Sequence, residues 1–363
     1  MRLIIRLILL VLALSGAAPG EEKSPSTLLV LNKGHRGSTR PSELAIVDPA
    51  TGHVTARIPT GMESHEVAVT PDGRLAVVTN TGPYSDPGHT LSVIDLKARK
   101  EIHRVDLGPL PNPHGIAWHD GKFYFTAEGA RLIARYDPAT DSVDWMMGVG
   151  QNSIHMLVFS KDGKKIFTAN RGSGSVGVVS PSPVGGPGGG RPGGLSGEAP
   201  GGGPGGGRQG GGLGGRSPGG PSQVLIPVKA GPEGIDVTPD GAQVWVGCRG
   251  AISIIDAVGD QVIGTIETGG GGVNRIKFAP DGKRALATHM GPLIVLDVAS
   301  RKEIKRIDTG GGGSSILITP DGKQAYIGMT EKDKVAVVDL DKLEVVSTLE
   351  TGEGPDGMAW VGR

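Results

Sequence analysis

One short segment, Thr70-Pro71-Asp72-Gly73 followed by Arg74 to Asn80, recurs down this chain, and its recurrence constrains the fold more than any other feature. Near-copies of the turn stand at His119-Asp120-Gly121, Ser160 to Gly163, Thr238 to Gly241, Ala279 to Gly282 and Thr319 to Gly322. In the full version Pro sets φ, Asp can bond to the backbone beyond it, and Gly accepts a positive φ, so the chain reverses between two strands. Each copy is therefore read as strand, tight turn, strand.

The turn glycines, 73, 121, 163, 241, 282 and 322, mostly lie about 40–48 residues apart, the length of a four-stranded repeat unit. Within 233–269 the strands read Gly234 to Thr238, Gln243 to Gly247, Ala251 to Asp256 and Gln261 to Glu267, rich in Val and Ile. No helical periodicity of useful length appears beyond the first residues. The expected fold is all-β: a seven-bladed β-propeller of four-stranded antiparallel blades. Asp356 to Val361 reads as an inner strand lacking its successor, and Thr27 to Asn32 as that successor, so the ring is expected to close by pairing the two ends.

The expected organisation is a signal peptide at 1–18, a flexible segment at 19–26 and the propeller at 27–363. Arg2 and Arg6, the apolar run Leu7 to Leu14 and the small residues Ser15-Gly16-Ala17-Ala18 have the form of a secretory leader, too short for an anchor of about 20 apolar residues. Export to the periplasm or beyond the cell follows, with no integral membrane segment after cleavage. Cys248, the single cysteine, allows no intrachain disulfide. Residues 181–222 form a Gly/Pro tract with almost nothing apolar, expected to be a disordered bottom-face insertion. Balanced charge and only 4% aromatics argue against nucleic acid as a partner. A monomer is expected.

Units such as PDGRLAVVTNTG…TLSVIDLKARKEIHRVDLGPLPNPHGIAWHDG resemble the YVTN-type β-propeller repeat, with its PDG turn, V-T-N strand end, S-V-I-D strand and P-x-G-I-A strand. The likeness covers 27–363 apart from the tract, although V-T-N itself stands only at Val78-Thr79-Asn80. The resemblance implies a fold whose members include lactonases, electron-transfer enzyme domains, cell-surface proteins and binding modules.

Two rings of equivalent positions should meet on the top face. The first holds His65, His114, His155, Glu233, Asn274, Ser314 and Asp356; the second holds Asn80, Glu128, Asn170, Cys248, His289, Met329 and Asn32. Three imidazoles at one register suit a Zn or Cu ion, with Glu233 or Asp356 as an extra oxygen ligand and Glu128 orienting His114 from behind. Cys248, His289 and Met329 are the soft ligands that copper prefers and form a second, competing metal reading. Top loops add His35, Arg36, Arg40, Tyr84, His89, Arg131, Arg171 and Arg249, a cationic rim suited to a small anionic molecule, with a protein partner as the other candidate.

No Walker loop, dinucleotide fingerprint, nucleophile elbow, Cys-x-x-Cys or haem-attachment motif is present. Two functions stay open. One is an exported module that binds a ligand or partner at the channel mouth through Glu128, Glu233, Asn274, Asp356, Arg36, Arg171 and Arg249, with a metal on the three histidines. The alternative is a metal-assisted hydrolase of lactonase type, or a redox-associated propeller enzyme, using the same site.

Overall fold

The turns that define the repeat are built as their residues require. At the first, Asp72 Oδ1 accepts from the Arg74 amide at 3.0 Å, and the Gly73 amide donates to the Thr70 carbonyl at 2.9 Å. Gly73 sits at φ 68°, and Gly163, Gly241, Gly282 and Gly322 lie between 70° and 78°, a region costly for any side chain. The computed structural model describes residues 26–181 and 222–362. The expected signal peptide, the segment 19–25 and residues 182–221 of the Gly/Pro tract lie outside the described residues.

The described chain is an all-β propeller whose strands group into six antiparallel sheets. Five have four strands: Thr27–Asn32, Glu43–Val47 and Val54–Pro59 with Pro355–Val361; Ser64–Val69 to Lys100–Asp106; Pro113–His119 to Ser142–Gly148; Ile154–Phe159 to Ser222–Pro227; and Ser315–Ile318 to Glu344–Leu349. The sixth, Ile235–Val237 to Lys302–Ile307, has six strands.

The expectation of seven separate four-stranded blades is thereby corrected to six. Two long strands account for the difference. Gln243–Asp256 pairs through Val244 to Val246 with one neighbour and through Arg249 to Asp256 with the next. Gln261–Phe278 likewise pairs first with that strand and then, from Val273 onward, with Arg284–His289. The glycines 269–272 lie within Gln261–Phe278, with Gly269 at φ 83° and Gly271 at φ 104°, and carry the chain into the inner segment from Val273 without ending the strand, so two repeat units share one continuous sheet. This sheet is creased, because Trp245, Ile252 and Ile254 from its first half pack against Ile276, Phe278 and Leu296 of its second.

Pairing of the two chain ends is confined to the sheet that holds them both, where Leu28 faces Trp360 and Val30 faces Met358. Apolar clusters otherwise fill the spaces between neighbouring sheets. Val77, Leu91 and Val93 meet Phe123, Phe125 and Tyr136; Phe167 and Val178 meet Val244 and Ile255. Burial is the main favourable term here, about 25 cal/mol for each Å² of apolar surface removed from water. The inner strands neighbour one another around a closed circuit, Pro355–Val361 touching Ser64–Val69, which brings residues distant in sequence to one axial mouth. No helix among the described residues is long and apolar enough to cross a membrane.

Candidate functional site

The inner strands reach the axis by giving up regular pairing. Register shifts fall between Ser64 and Val67, between Pro113 and Ile116, and between Ile154 and Leu157, bracketing His65, His114 and His155 in turn. Such irregularities re-aim a side chain out of the alternating pattern. Two threonines of adjacent second strands hold the backbone there: Thr79 Oγ1 donates to the His114 carbonyl at 2.8 Å, and Thr126 Oγ1 to that of His155 at 2.9 Å. Close approach is possible because glycine follows three of the seven ring residues, at Gly115, Gly234 and Gly357. A Cβ on Gly115 would stand 2.7 Å from the His155 carbonyl oxygen, closer than real Cβ atoms come.

The three imidazoles form a stack. The His65 and His114 ring centroids are 4.7 Å apart and those of His114 and His155 3.9 Å, each pair tilted by 36°. Their hydrogen-bond partners differ. His65 Nδ1 lies 3.0 Å from Asp356 Oδ2, and Lys33 Nζ donates to the same oxygen at 2.8 Å. His155 faces carboxylates on both nitrogens, Glu128 at 2.7 Å from Nδ1 and Glu233 at 3.4 Å from Nε2. His114, only 3% exposed, has no partner for Nδ1 among the described residues.

Those partners set the charges. Burial, and then the electrostatic influence of His155, His65, Arg275 and Lys33, hold the His114 imidazole well below its ordinary range, so it is neutral. Burial works in the same direction on His155, but its bonds to Glu128 and Glu233 outweigh that and raise it. Glu233 is pulled down to about 2, its burial opposed by His155, Arg275 and Arg171. Asp356 is likewise lowered, against burial, by Lys33, His65 and Arg275. Deeper in the channel Arg275 reaches across to Glu66 and lies 4.0 Å from Asp356. Pairing on this scale is what allows so many charges to be buried together.

Above the stack opens a cleft of about 500 Å³ lined by the three histidines, Glu128, Lys33, Arg171 and the loop around Tyr84. Arg171 Nη2 donates to the Tyr84 hydroxyl at 3.2 Å, and Arg171 Nη1 lies 4.0 Å from Glu233. Arg36 and His35 are exposed at the rim, where His35 pairs with Asp333 at 3.1 Å. Arg40, His89, Arg131 and Arg249 do not line the cleft. Asn274 instead turns its amide toward the Gly313 carbonyl at 3.4 Å.

The second ring departs from expectation. Asn80 is paired directly with Ser64, so it faces as Ser64 does and away from His65. Its amide is consumed by Gly61, Ser64, Thr90 and Ser92. Asn32 bonds Thr351, and Asn170 bonds Ser175, in the same inward manner. Cys248 and Met329 sit in different apolar clusters, the Cys248 thiol pushed up to about 11 by burial, so no shared copper site forms with His289.

Of the second ring Glu128 alone reaches the mouth, because its turn is two residues shorter, one on each side of Gly121: His119 pairs with Lys122, and Ala127, not Glu128, stands opposite Pro113 in the place of Asn80. A one-residue slip exchanges faces. It then bonds His155 of the next sheet, which corrects the expectation that it orients His114.

Among the described residues, His114, Glu128 and His155 are the set whose donor atoms come together, all within 4.8 Å. Lys33, Glu66 and Arg275 belong to the site and were missed from sequence. The available signal was a charge inside an apolar inner strand, as in Ser64-His65-Glu66-Val67 and Val273-Asn274-Arg275-Ile276.

No protein-family model matches the chain, and no curated protein does. Solved structures share the fold. The periplasmic gluconolactonase of Pseudomonas aeruginosa is 16% identical with a TM-score of 0.67, over 93% of this chain and 99% of that one. A candidate 6-phosphogluconolactonase from Bacteroides uniformis is 14% identical with a TM-score of 0.68, over 93% and 100%. Hydrazine synthase of Kuenenia stuttgartiensis is 18% identical with a TM-score of 0.64, over 89% and 99%. At these identities the likeness is one of β-propeller fold, shared with propeller lactonases among others.

Proposed function

We propose that the protein is a hydrolase that opens a lactone ring at the channel mouth. The observation that carries this reading is His65, fixed through Nδ1 by Asp356 and lining the cleft. With Nδ1 donating to a buried carboxylate, the neutral imidazole keeps Nε2 as an acceptor, the arrangement that lets a histidine take a proton from a nucleophile. The lactonase folds above support the same reading.

In the reaction, Nε2 of His65 takes a proton from water as the water oxygen adds to the lactone carbonyl carbon. The negative charge that develops on the carbonyl oxygen is stabilised by the cationic wall of Lys33 and Arg171. When the carbonyl re-forms, the ring C–O bond breaks, and the departing ring oxygen recovers the proton from His65. The product is a hydroxy acid. Arg36 and Arg171 favour a small anionic substrate. A divalent cation of the Zn or Cu type, held by neighbouring imidazole and carboxylate donors, would polarise the carbonyl. The protein acts as an exported monomer, a placement supported by the leader-like residues 1–18.

The test is a panel of γ- and δ-lactones with and without an anionic substituent, followed by acid release. Saturable turnover far above the uncatalysed rate is expected. Saturable ligand binding without turnover would replace the hydrolase by a binding module.

A further inference from the structure

The geometry points to a divalent-cation site made by His114, Glu128 and His155, with His65 outside it. This inference goes beyond hydrolysis, since the protein could take up a metal whether or not it turns over a lactone. Three observations carry it. The donor atoms of these residues lie within 4.8 Å of one another, close enough for small side-chain movements to bring each within about 2.0–2.2 Å of one ion. The His114 Nδ1 atom is buried without a partner among the described residues, an arrangement that is unfavourable unless something else takes its lone pair or proton. The donors also have the chemistry of a borderline metal, two imidazoles and one carboxylate with an open side, as in sites where water or substrate completes the tetrahedron.

The neighbouring residues are placed to hold these ligands in position. Glu233 lies 3.4 Å from His155 Nε2 and is itself drawn toward Arg171, so it can orient the His155 ring from the side away from Glu128. The Thr79 and Thr126 hydroxyls fix the His114 and His155 backbones. His65 lies outside the set because its ring nitrogens do not join the donor atoms that fall within 4.8 Å of one another; its Nδ1 stands instead beside Asp356. Glu128 and His155, now 2.7 Å apart, must separate slightly to admit an ion between them.

The experiment is calorimetric titration of Zn2+, and separately Cu2+, into the full-length protein freed of metal by a chelator. One equivalent should bind. His114→Gln and Glu128→Gln should each weaken binding at least 10-fold, while His65→Gln should leave it within about 3-fold. Co2+ should give the absorption of a low-symmetry four- or five-coordinate site, lost in Glu128→Gln. If His114→Gln proves unstable, Glu128→Gln against His65→Gln decides alone. No saturable uptake by the folded wild type, or equal weakening by His65→Gln and Glu128→Gln, would overturn the assignment.

Discussion

Two polar rings lie one strand apart at the same end of this propeller, and they are used in opposite ways. The ring on the second strands, represented by Asn80, Asn170 and Asn32, turns inward and spends its hydrogen bonds on neighbouring strands and loops. The ring on the inner strands turns His65, His114 and His155 into a cleft, with Glu233 and Asp356 behind them, charges paired across sheets and, among the described residues, one buried imidazole nitrogen left without a partner. Polar residues at a repeat position are thus ambiguous by type. What separates structure from function is where their remaining hydrogen-bond capacity points.

This contrast can be tested by substitution. The largest effect on stability is expected from Asp356→Asn, which takes the buried carboxylate from Lys33 and His65 and leaves Arg275 with Glu66 alone; loss of one member of a buried pair costs about 3–5 kcal/mol, read by denaturant unfolding. Asn80→Ala should follow at about 2–3 kcal/mol, because the Gly61 amide loses its acceptor and two hydroxyls lose a partner. If Asn80→Ala proved neutral, the inward ring would not be structural.

The pH dependence sharpens the same comparison. Glu233 is lowered from 4.5 to about 2 in the fold, so its ionised form stabilises the protein above about pH 4.5, and that contribution disappears as pH falls toward 2. The full contribution is on the order of 3 kcal/mol. His155 has the reverse sign: its raised value stabilises the fold below its ordinary 6.5 and ceases to do so as pH climbs past the folded value. Glu233→Gln should therefore flatten the acid limb of a stability profile; an unchanged limb would contradict the pairing. The smallest effect is expected from deleting 184–219. Ser180 already pairs with Ser222, so the shortened loop joins strands that are neighbours, and stability should shift by no more than about 2 kcal/mol, toward greater stability.

Much of this was legible in the sequence. The Pro-Asp-Gly turns and Val/Ile strands gave away the repeat, and three histidines at one register marked the mouth. The sheet count was not, because whether a run such as 269–272 leaves a strand or continues it depends on hydrogen bonds to a neighbour, and glycine permits both. The place of Glu128 was hidden by a turn two residues short, one of them missing after Gly121, which a count from that glycine passes over but a two-residue pleat does not. Arg275 and Glu66 meet across 209 residues, a pairing that ring closure creates and no local pattern announces.

The most direct measurement is kcat/KM on the best lactone for His65→Ala and Asn80→Ala side by side, each normalised to its folded fraction. His65→Ala should fall by about 10²–10⁴, the usual share of a proton-transfer group, while its unfolding midpoint barely moves. Asn80→Ala should lose stability yet keep activity within about 3-fold. Equal losses in the two variants, or full activity in His65→Ala, would contradict the assignment of the chemistry to the inner-strand ring and of a purely structural role to the asparagines of the second.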